Sequence, residues 1–182
     1  MTETNPSIET KLKNTIRTVP DFPQPGINFF DITTLLADAE GFALACQAMA
    51  DPYREQHIDL VVGAESRGFI FGAAVARELD VGFIPVRKPG KLPAQTIVEE
   101  YELEYGTDKL EMHADAIQKG QRILMVDDLL ATGGTMQAAC RMVETLGGVI
   151  VGISFLIELT FLPGRAKLAK YDLHCLLAYD SE

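Results

Sequence analysis

The sequence predicts an α/β fold, an open and mainly parallel twisted sheet flanked by helices. Three observations predict it. Short apolar runs of strand character recur, mostly at roughly 20–30-residue spacing with one wider gap before Ile123: Ile58 to Gly63, Val81 to Val86, Ile123 to Val126, Val149 to Leu156 and Leu173 to Leu177. Helical patterns fill most of the intervals, as crossovers between parallel strands require. The 182 residues suit one domain, 1–182, with a full hydrophobic core, and 47% apolar composition excludes global disorder. No internal repeat, low-complexity tract or second domain stands out.

Charge and cysteine usage narrow the function classes. A formal net charge of −10 argues against nucleic acid as a partner, which rewards a basic face. It leaves room for a small anionic ligand, which needs only local cations. No apolar run approaches the roughly 20 residues of a membrane span, and the N-terminus is polar rather than signal-like, so no membrane partner is expected. Cys46, Cys140 and Cys175 are isolated within apolar patterns. They read as core or half-buried thiols in a reducing compartment, the cytoplasm.

Taken in order, the chain first offers Ile8, Leu12, Ile16 and Val19 at helical spacing, a short amphipathic helix for packing on the core or on a partner. Proline-rich Asp21 to Gly26 stops it and holds the chain extended. Ile27-Asn28-Phe29-Phe30 follows. Two adjacent rings beside a Pro-Gly turn can stack on a flat base, and hydrophobic anchoring of the segment is an equal reading. Residues 38–56 carry a helical pattern. The Ile58 strand then runs into Glu65-Ser66-Arg67-Gly68, and a helix occupies Ile70 to Leu79. Arg67 at a strand-to-helix junction is where an active-site cation belongs. The strand ending at Val86 leads to Arg87, Lys88 and Lys91, read either as a solvated basic turn or as an anion clamp.

Residues 95–112 change character. Glu99, Glu100, Glu102 and Glu104 alternate with Tyr101, Leu103 and Tyr105, which predicts a two-stranded, half-exposed and flexible excursion from the sheet. The organising stretch is Ile123 to Thr135. Four apolar residues make a buried strand, two carboxylates, Asp127 and Asp128, follow it, and Ala131-Thr132-Gly133-Gly134-Thr135 leads into a helix from Met136 to Leu146. Two glycines and two hydroxyls let such a turn wrap a phosphate with backbone N–H groups. Carboxylates beside it repel phosphate, so as a site they point at sugar hydroxyls or a metal. The plainer reading is a polar strand end and a capped turn. The stretch is neither a Walker A loop, for want of its lysine, nor a G-x-G-x-x-G turn.

In this order, Asp127 to Thr135 resembles the signature of the type I phosphoribosyltransferases, whose two acidic residues precede the loop for the 5′-phosphate of phosphoribosyl pyrophosphate (PRPP). From about Val19 onward the chain resembles the adenine-specific family. The resemblance is carried by Phe22-Pro23-Gln24-Pro25-Gly26, Glu65-Ser66-Arg67-Gly68-Phe69, Arg87-Lys88-Pro89-Gly90-Lys91-Leu92-Pro93 and Leu103-Glu104-Tyr105-Gly106. Singly each is weak, but together with Val126 to Thr135 they are specific.

The resemblance implies the type I phosphoribosyltransferase fold. It implies transfer of the phosphoribosyl group from PRPP to N9 of adenine, giving AMP and pyrophosphate, as a homodimer. It implies Mg²⁺ held mainly through PRPP rather than in a dedicated protein cage. It assigns a base-binding flap to residues 8–34, a hood to residues 95–112, the ribose hydroxyls to Asp127 and Asp128, and the 5′-phosphate to Ala131, Thr132, Gly133, Gly134 and Thr135. Pyrophosphate falls to Ser66, after a cis peptide, with Arg67, Arg87, Lys88 and Lys91. Adenine falls to backbone groups of Ile27, Asn28, Phe29 and Phe30 and to an apolar contact from Leu159. Phe30 departs from the family, whose members carry Arg or Lys there, and so loses any salt link which that cation makes.

No covalent nucleophile is needed. Pyrophosphate leaves C1′ as an oxocarbenium-like centre develops, and cations with Mg²⁺ neutralise its charge. Glu104, with Tyr105 beside it on the closing hood, is the candidate to take the N9 proton, and a solvated hood carboxylate is the plain alternative. Two rivals remain. One is transfer to xanthine, hypoxanthine or orotate; the other is a PRPP-sensing regulator, disfavoured because the leading 20 or so residues are too few and not basic.

Overall fold

The structure, a computed structural model, describes residues 7–102 and 107–181. Five strands form one parallel sheet: β3 (Leu60–Ala64), β4 (Gly82–Val86), β7 (Arg122–Leu130), β8 (Val149–Leu159) and β9 (Leu173–Tyr179). Their spatial order is β4-β3-β7-β8-β9. The order of the chain therefore reverses between β3 and β7. Such a reversal opens a crevice at the carboxyl ends of the two strands, where α/β sheets bind ligands.

Period-two alternation along the strands divides the core into two layers. Ile123 and Met125 of β7 join Val62, Ile153 and Phe155 on one face, under α5 (Gly134–Thr145). Leu124 and Val126 join Val61, Leu156 and Leu177 on the other, under α3 (Ala39–Ala50) and α4 (Gly68–Glu78). Both layers hold fully buried side chains, so β7 is covered on its two faces, as its unbroken apolar run anticipates.

The N-terminal helix is shorter than its spacing suggests. Ser7 caps α1 (Ile8–Thr15), its Oγ accepting from Thr10 N–H at 3.2 Å. Ile16 then turns extended, and Arg17–Val19 forms β1, antiparallel to β2 (Phe29–Asp31). Val19 thus belongs to a strand, because pairing with β2 satisfies backbone groups that a longer helix would leave beside the proline segment. A short helix, α2 (Thr33–Ala37), connects this ribbon to α3, which Asp38 caps.

The two-stranded excursion is present as β5 (Thr96–Glu102) and β6 (Thr107–His113), in register from Thr96↔His113 to Glu102↔Thr107. Its inner face is more buried than its acidic sequence suggests. Tyr101, Leu110 and Met112 enter the core layer under α5, and Arg141 of α5 pairs with Glu99 and donates to Glu100 O at 3.2 Å. Glu104 and Tyr105 lie outside the described residues. Last, α6 (Gly164–Lys167) follows β8 and rests against the turn that ends β7.

Candidate active site

The crevice predicted by the strand order is occupied by a cavity of about 330 Å³. Its walls are two connections, Glu65-Ser66-Arg67 after β3 and Ala131 to Thr135 after β7, with Asp127 and Asp128 on its floor. Sequence elements 60 residues apart meet here because β3 and β7 are neighbours, paired from Leu60↔Ile123 to Gly63↔Val126.

The acidic pair sits within β7 and not beyond it. β8 runs alongside as far as Leu130↔Glu158, so the ladder continues through both carboxylates. Pleating sends adjacent side chains to different neighbours. Asp127 Oδ1 accepts from Asp128 N–H at 2.9 Å, and a Cβ on Gly68 would come within 2.5 Å of that oxygen. Only glycine lets α4 begin this close. Asp128, 5% exposed, takes Arg67 Nε on Oδ2 at 2.8 Å. Burial pushes the Asp127 carboxyl well above the usual range, and repulsion from Asp128 adds to it. Burial also raises Asp128, with the Arg67 guanidinium opposing. Two crowded carboxylates of this kind gain from hydroxyl donors or a cation.

Among the helices of eight residues or more the N-termini separate the site from the rest of the molecule; the short α2 and α6 also lack side-chain caps. The helices α1 and α3, which start elsewhere, carry side-chain caps from Ser7 and Asp38. The helices α4 and α5, which start at the cavity after Arg67 and Gly133, carry none. At α5 the first N–H groups are left for an anion. At α4 those of Phe69 and Ile70 turn back to Ser66 O at 3.3 Å and Arg67 O at 3.1 Å, and Gly68 N–H is left. The positive ends of the two helix dipoles lie behind them. Gly133 holds φ +76°, a left-handed conformation that frees the turn to present its N–H groups.

The cations lie to one side of the cavity. The Glu65–Ser66 peptide is cis. Glu65 holds Arg87 Nε at 3.3 Å, Lys88 N–H at 3.1 Å and Lys91 Nζ. The Lys91 hydrogen bond foremost draws the Glu65 carboxyl below its usual range. Lys88 Nζ reaches the hood, pairing with Asp108 and donating to Tyr101 Oη at 3.0 Å. Arg87 exchanges backbone hydrogen bonds of 2.9 and 2.7 Å with Glu111 of β6. The basic turn is therefore tied both to the strand end and to the hood. Glu65, Asp108 and Glu111 had no assigned role in the sequence; alternating acidic residues read as solvent-facing until their cations are placed.

The flap residues stand beside the cavity, not in its lining. Phe29 puts its ring centroid 5.8 Å from the Arg67 guanidinium carbon and meets Phe22 edge-on at 5.2 Å. Phe30 takes the opposite side of β2 and stacks on Tyr179, centroids 3.8 Å apart. Tyr179 also pairs in register with Leu159. One residue near the end of the chain thus joins the flap to Leu159. Ile27 and Asn28 are half-buried in the turn before β2. Nothing local in the sequence marks Tyr179, since its role depends on β9 lying next to β8.

Among the described residues no group of three or more His, Cys, Asp or Glu is placed to hold a metal ion, and no helix is long and apolar enough to cross a membrane. Asp127 and Asp128 are oxygen donors of the kind that Mg²⁺ takes one or two at a time, together with substrate phosphates.

Comparison with known proteins places this arrangement. Residues 33–175 match the family model described as phosphoribosyl transferase domain. The chain is 58% identical over 168 residues to the adenine phosphoribosyltransferase of Acidobacterium capsulatum, covering 92% of this chain and 93% of the relative. It is 59% identical over 169 residues to that of Solibacter usitatus, covering 93% and 98%. Among solved structures, that of adenine phosphoribosyltransferase from Thermoanaerobacter pseudethanolicus superposes with a TM-score of 0.91 at 53% identity, covering 95% of this chain and all of the other.

Proposed function

The chain belongs to the adenine phosphoribosyltransferases, enzymes that join PRPP and adenine into AMP and pyrophosphate, and from that premise we propose how its residues divide the work. The observation that carries the reading is the cavity at the strand-order reversal. It sets two uncapped helix starts and a pair of crowded carboxylates around one space.

The turn Ala131 to Thr135 and the start of α5 hold the 5′-phosphate, through N–H groups and the hydroxyls of Thr132 and Thr135. Asp127 and Asp128 accept from the ribose 2′- and 3′-hydroxyls. Hydroxyl donors suit carboxylates that burial has made costly to ionise, and Arg67 balances the charge from Asp128 toward the leaving group. Ser66 and the start of α4 face pyrophosphate, with Arg87, Lys88 and Lys91 released to it from Glu65 and Asp108. Mg²⁺ fits this donor set when it arrives on PRPP, and there supplies charge neutralisation for the departing pyrophosphate.

Phe29 stacks on adenine beside Arg67, and the backbone of residues 27–30 with Leu159 reads the base. Glu104, on the hood, takes the N9 proton, and hood closure with Tyr105 excludes water from the ribosyl centre. The chain works as a homodimer, an assignment supported by the family resemblance and by exposed Ile8, Ile70 and Val149, and in the cytoplasm, an assignment supported by its free thiols. Light scattering at micromolar concentration tests the dimer, against 19.9 kDa for one chain.

Steady-state turnover with PRPP and each purine in turn tests the base assignment. Adenine is expected to lead by a large margin, and equal turnover of hypoxanthine would contradict it.

A further inference from the structure

Behind the phosphate turn lies a charged pair that does not touch the cavity. Glu158 is 5% exposed near the end of β8, and Arg165 of α6 grips it with two hydrogen bonds, Nε to Oε1 at 2.7 Å and Nη2 to Oε2 at 2.5 Å. That grip foremost draws the Glu158 carboxyl below its usual range. A buried carboxylate is costly unless fully paired, and a well-packed apolar pair often serves stability as well. Its position suggests what it does. Glu158 stands in register with Leu130, the last residue before the turn.

Arg165 follows Gly164, which is the surface the turn rests on. A Cβ on Gly164 would collide with Ala131 O and approach Leu130 Cδ1 to 2.7 Å. A Cβ on Gly133 would meet Gly164 O at 3.0 Å and Cα at 3.1 Å. Backbone lies on backbone at both points, so the turn cannot shift unless Gly164 shifts. Gly164 is followed directly by Arg165, whose guanidinium ties α6 to β8 through Glu158. Gln137 Nε2 adds a weaker tie from α5 to Lys167 O at 3.3 Å.

We propose that the Glu158–Arg165 pair is a positioning device for the turn at Ala131 to Gly133, setting the affinity of this site for a sugar 5′-phosphate. The proposal rests on the reading of that turn as the 5′-phosphate cradle. Backbone N–H groups recognise an anion only while their directions are held, and side chains behind a site are what hold them. The pair contacts neither reacting atoms nor the proposed pyrophosphate cations, so its effect is confined to one end of PRPP.

The test separates the two ends by calorimetric titration of the full chain with ribose 5-phosphate and, independently, with pyrophosphate. The variants are Arg165→Lys, which keeps charge but loses the fork, and Glu158→Gln, which keeps shape. Displacement of the turn by about 1 Å is expected to weaken ribose 5-phosphate roughly 10- to 100-fold. Pyrophosphate affinity and the KM for adenine should stay within about twofold of the parent. Gly164→Ala, which presses on the turn directly, should reproduce the pattern. Equal loss for both ligands, loss for neither, or failure of both charge variants to fold overturns the proposal and leaves the pair a structural one. A parent chain that does not bind ribose 5-phosphate overturns the phosphate-cradle reading itself, and the positioning role with it.

Discussion

The floor of the cavity and its cover are built on different principles. The floor, from Asp127 to Gly134, is held by close packing at glycines: Gly68 against the Asp127 carboxylate, and Gly164 backbone to backbone against Ala131 and Gly133. The cover, comprising the basic turn and the β5–β6 hood, is anchored in the core by Tyr101, Leu110 and Met112, but its charged side chains are held by ion pairs: Lys88 with Asp108, Lys109 with Glu100 at 3.1 Å, Arg141 with Glu99. Steric contacts have one solution. Ion pairs at a surface are each worth about 0–1 kcal/mol and can exchange partners. A floor of the first kind keeps donors aimed before a ligand arrives, while a cover of the second can trade its carboxylates for a pyrophosphate.

The sharpest way to break the comparison is at the floor. Asp127→Asn with Asp128→Asn should weaken PRPP binding roughly 10²–10⁴-fold, from two charged hydrogen bonds at about 1.5–3 kcal/mol each. Calorimetry with Mg²⁺ and PRPP reads it. Stability should move the other way. A carboxyl whose folded pKa is raised binds its proton more tightly when folded, so it costs stability as pH climbs above the unfolded value near 3.9. Asp127→Asn removes that cost. Its melting temperature without PRPP should exceed the parent's at neutral pH, with the gap closing as pH falls toward 4. A lower melting temperature at neutral pH would show that the floor is not strained electrostatically.

Glu104→Gln tests chemistry instead of binding. The amide keeps reach but cannot accept a proton as a carboxylate does, so the single-turnover rate should fall by roughly 10²-fold or more. PRPP affinity should change far less. A rate within about threefold of the parent across pH would return Glu104 to a solvated hood position.

Smaller effects sharpen the boundary between the regions. Tyr179→Ala removes the stack on Phe30, worth about 0.5–1.5 kcal/mol, and should raise the KM for adenine roughly 2- to 10-fold while leaving that for PRPP alone. Tyr179→Phe should restore the parent value. Asp108→Asn releases Lys88 at a partly exposed pair and should strengthen pyrophosphate binding by no more than about fivefold, an advantage that shrinks with added salt. Weaker pyrophosphate binding would mean that Asp108 aims Lys88 instead of restraining it.

By itself the sequence determined what local physics controls. Apolar runs against helical periods placed all five strands of the parallel sheet within a few residues, because burial periodicity is written along the chain. The Asp127 to Thr135 order placed the floor, since a strand, a glycine turn and a helix start are adjacent in sequence. Tertiary structure alone decided the rest. It ended the first helix at Thr15, where β2 offered Val19 a partner, and carried β7 through its carboxylates because β8 ran alongside. It joined Glu65 to Arg87, Glu158 to Arg165 and Phe30 to Tyr179. Each of those pairs depends on which strand lies beside which, and a side chain's partner across a sheet leaves no local pattern to read.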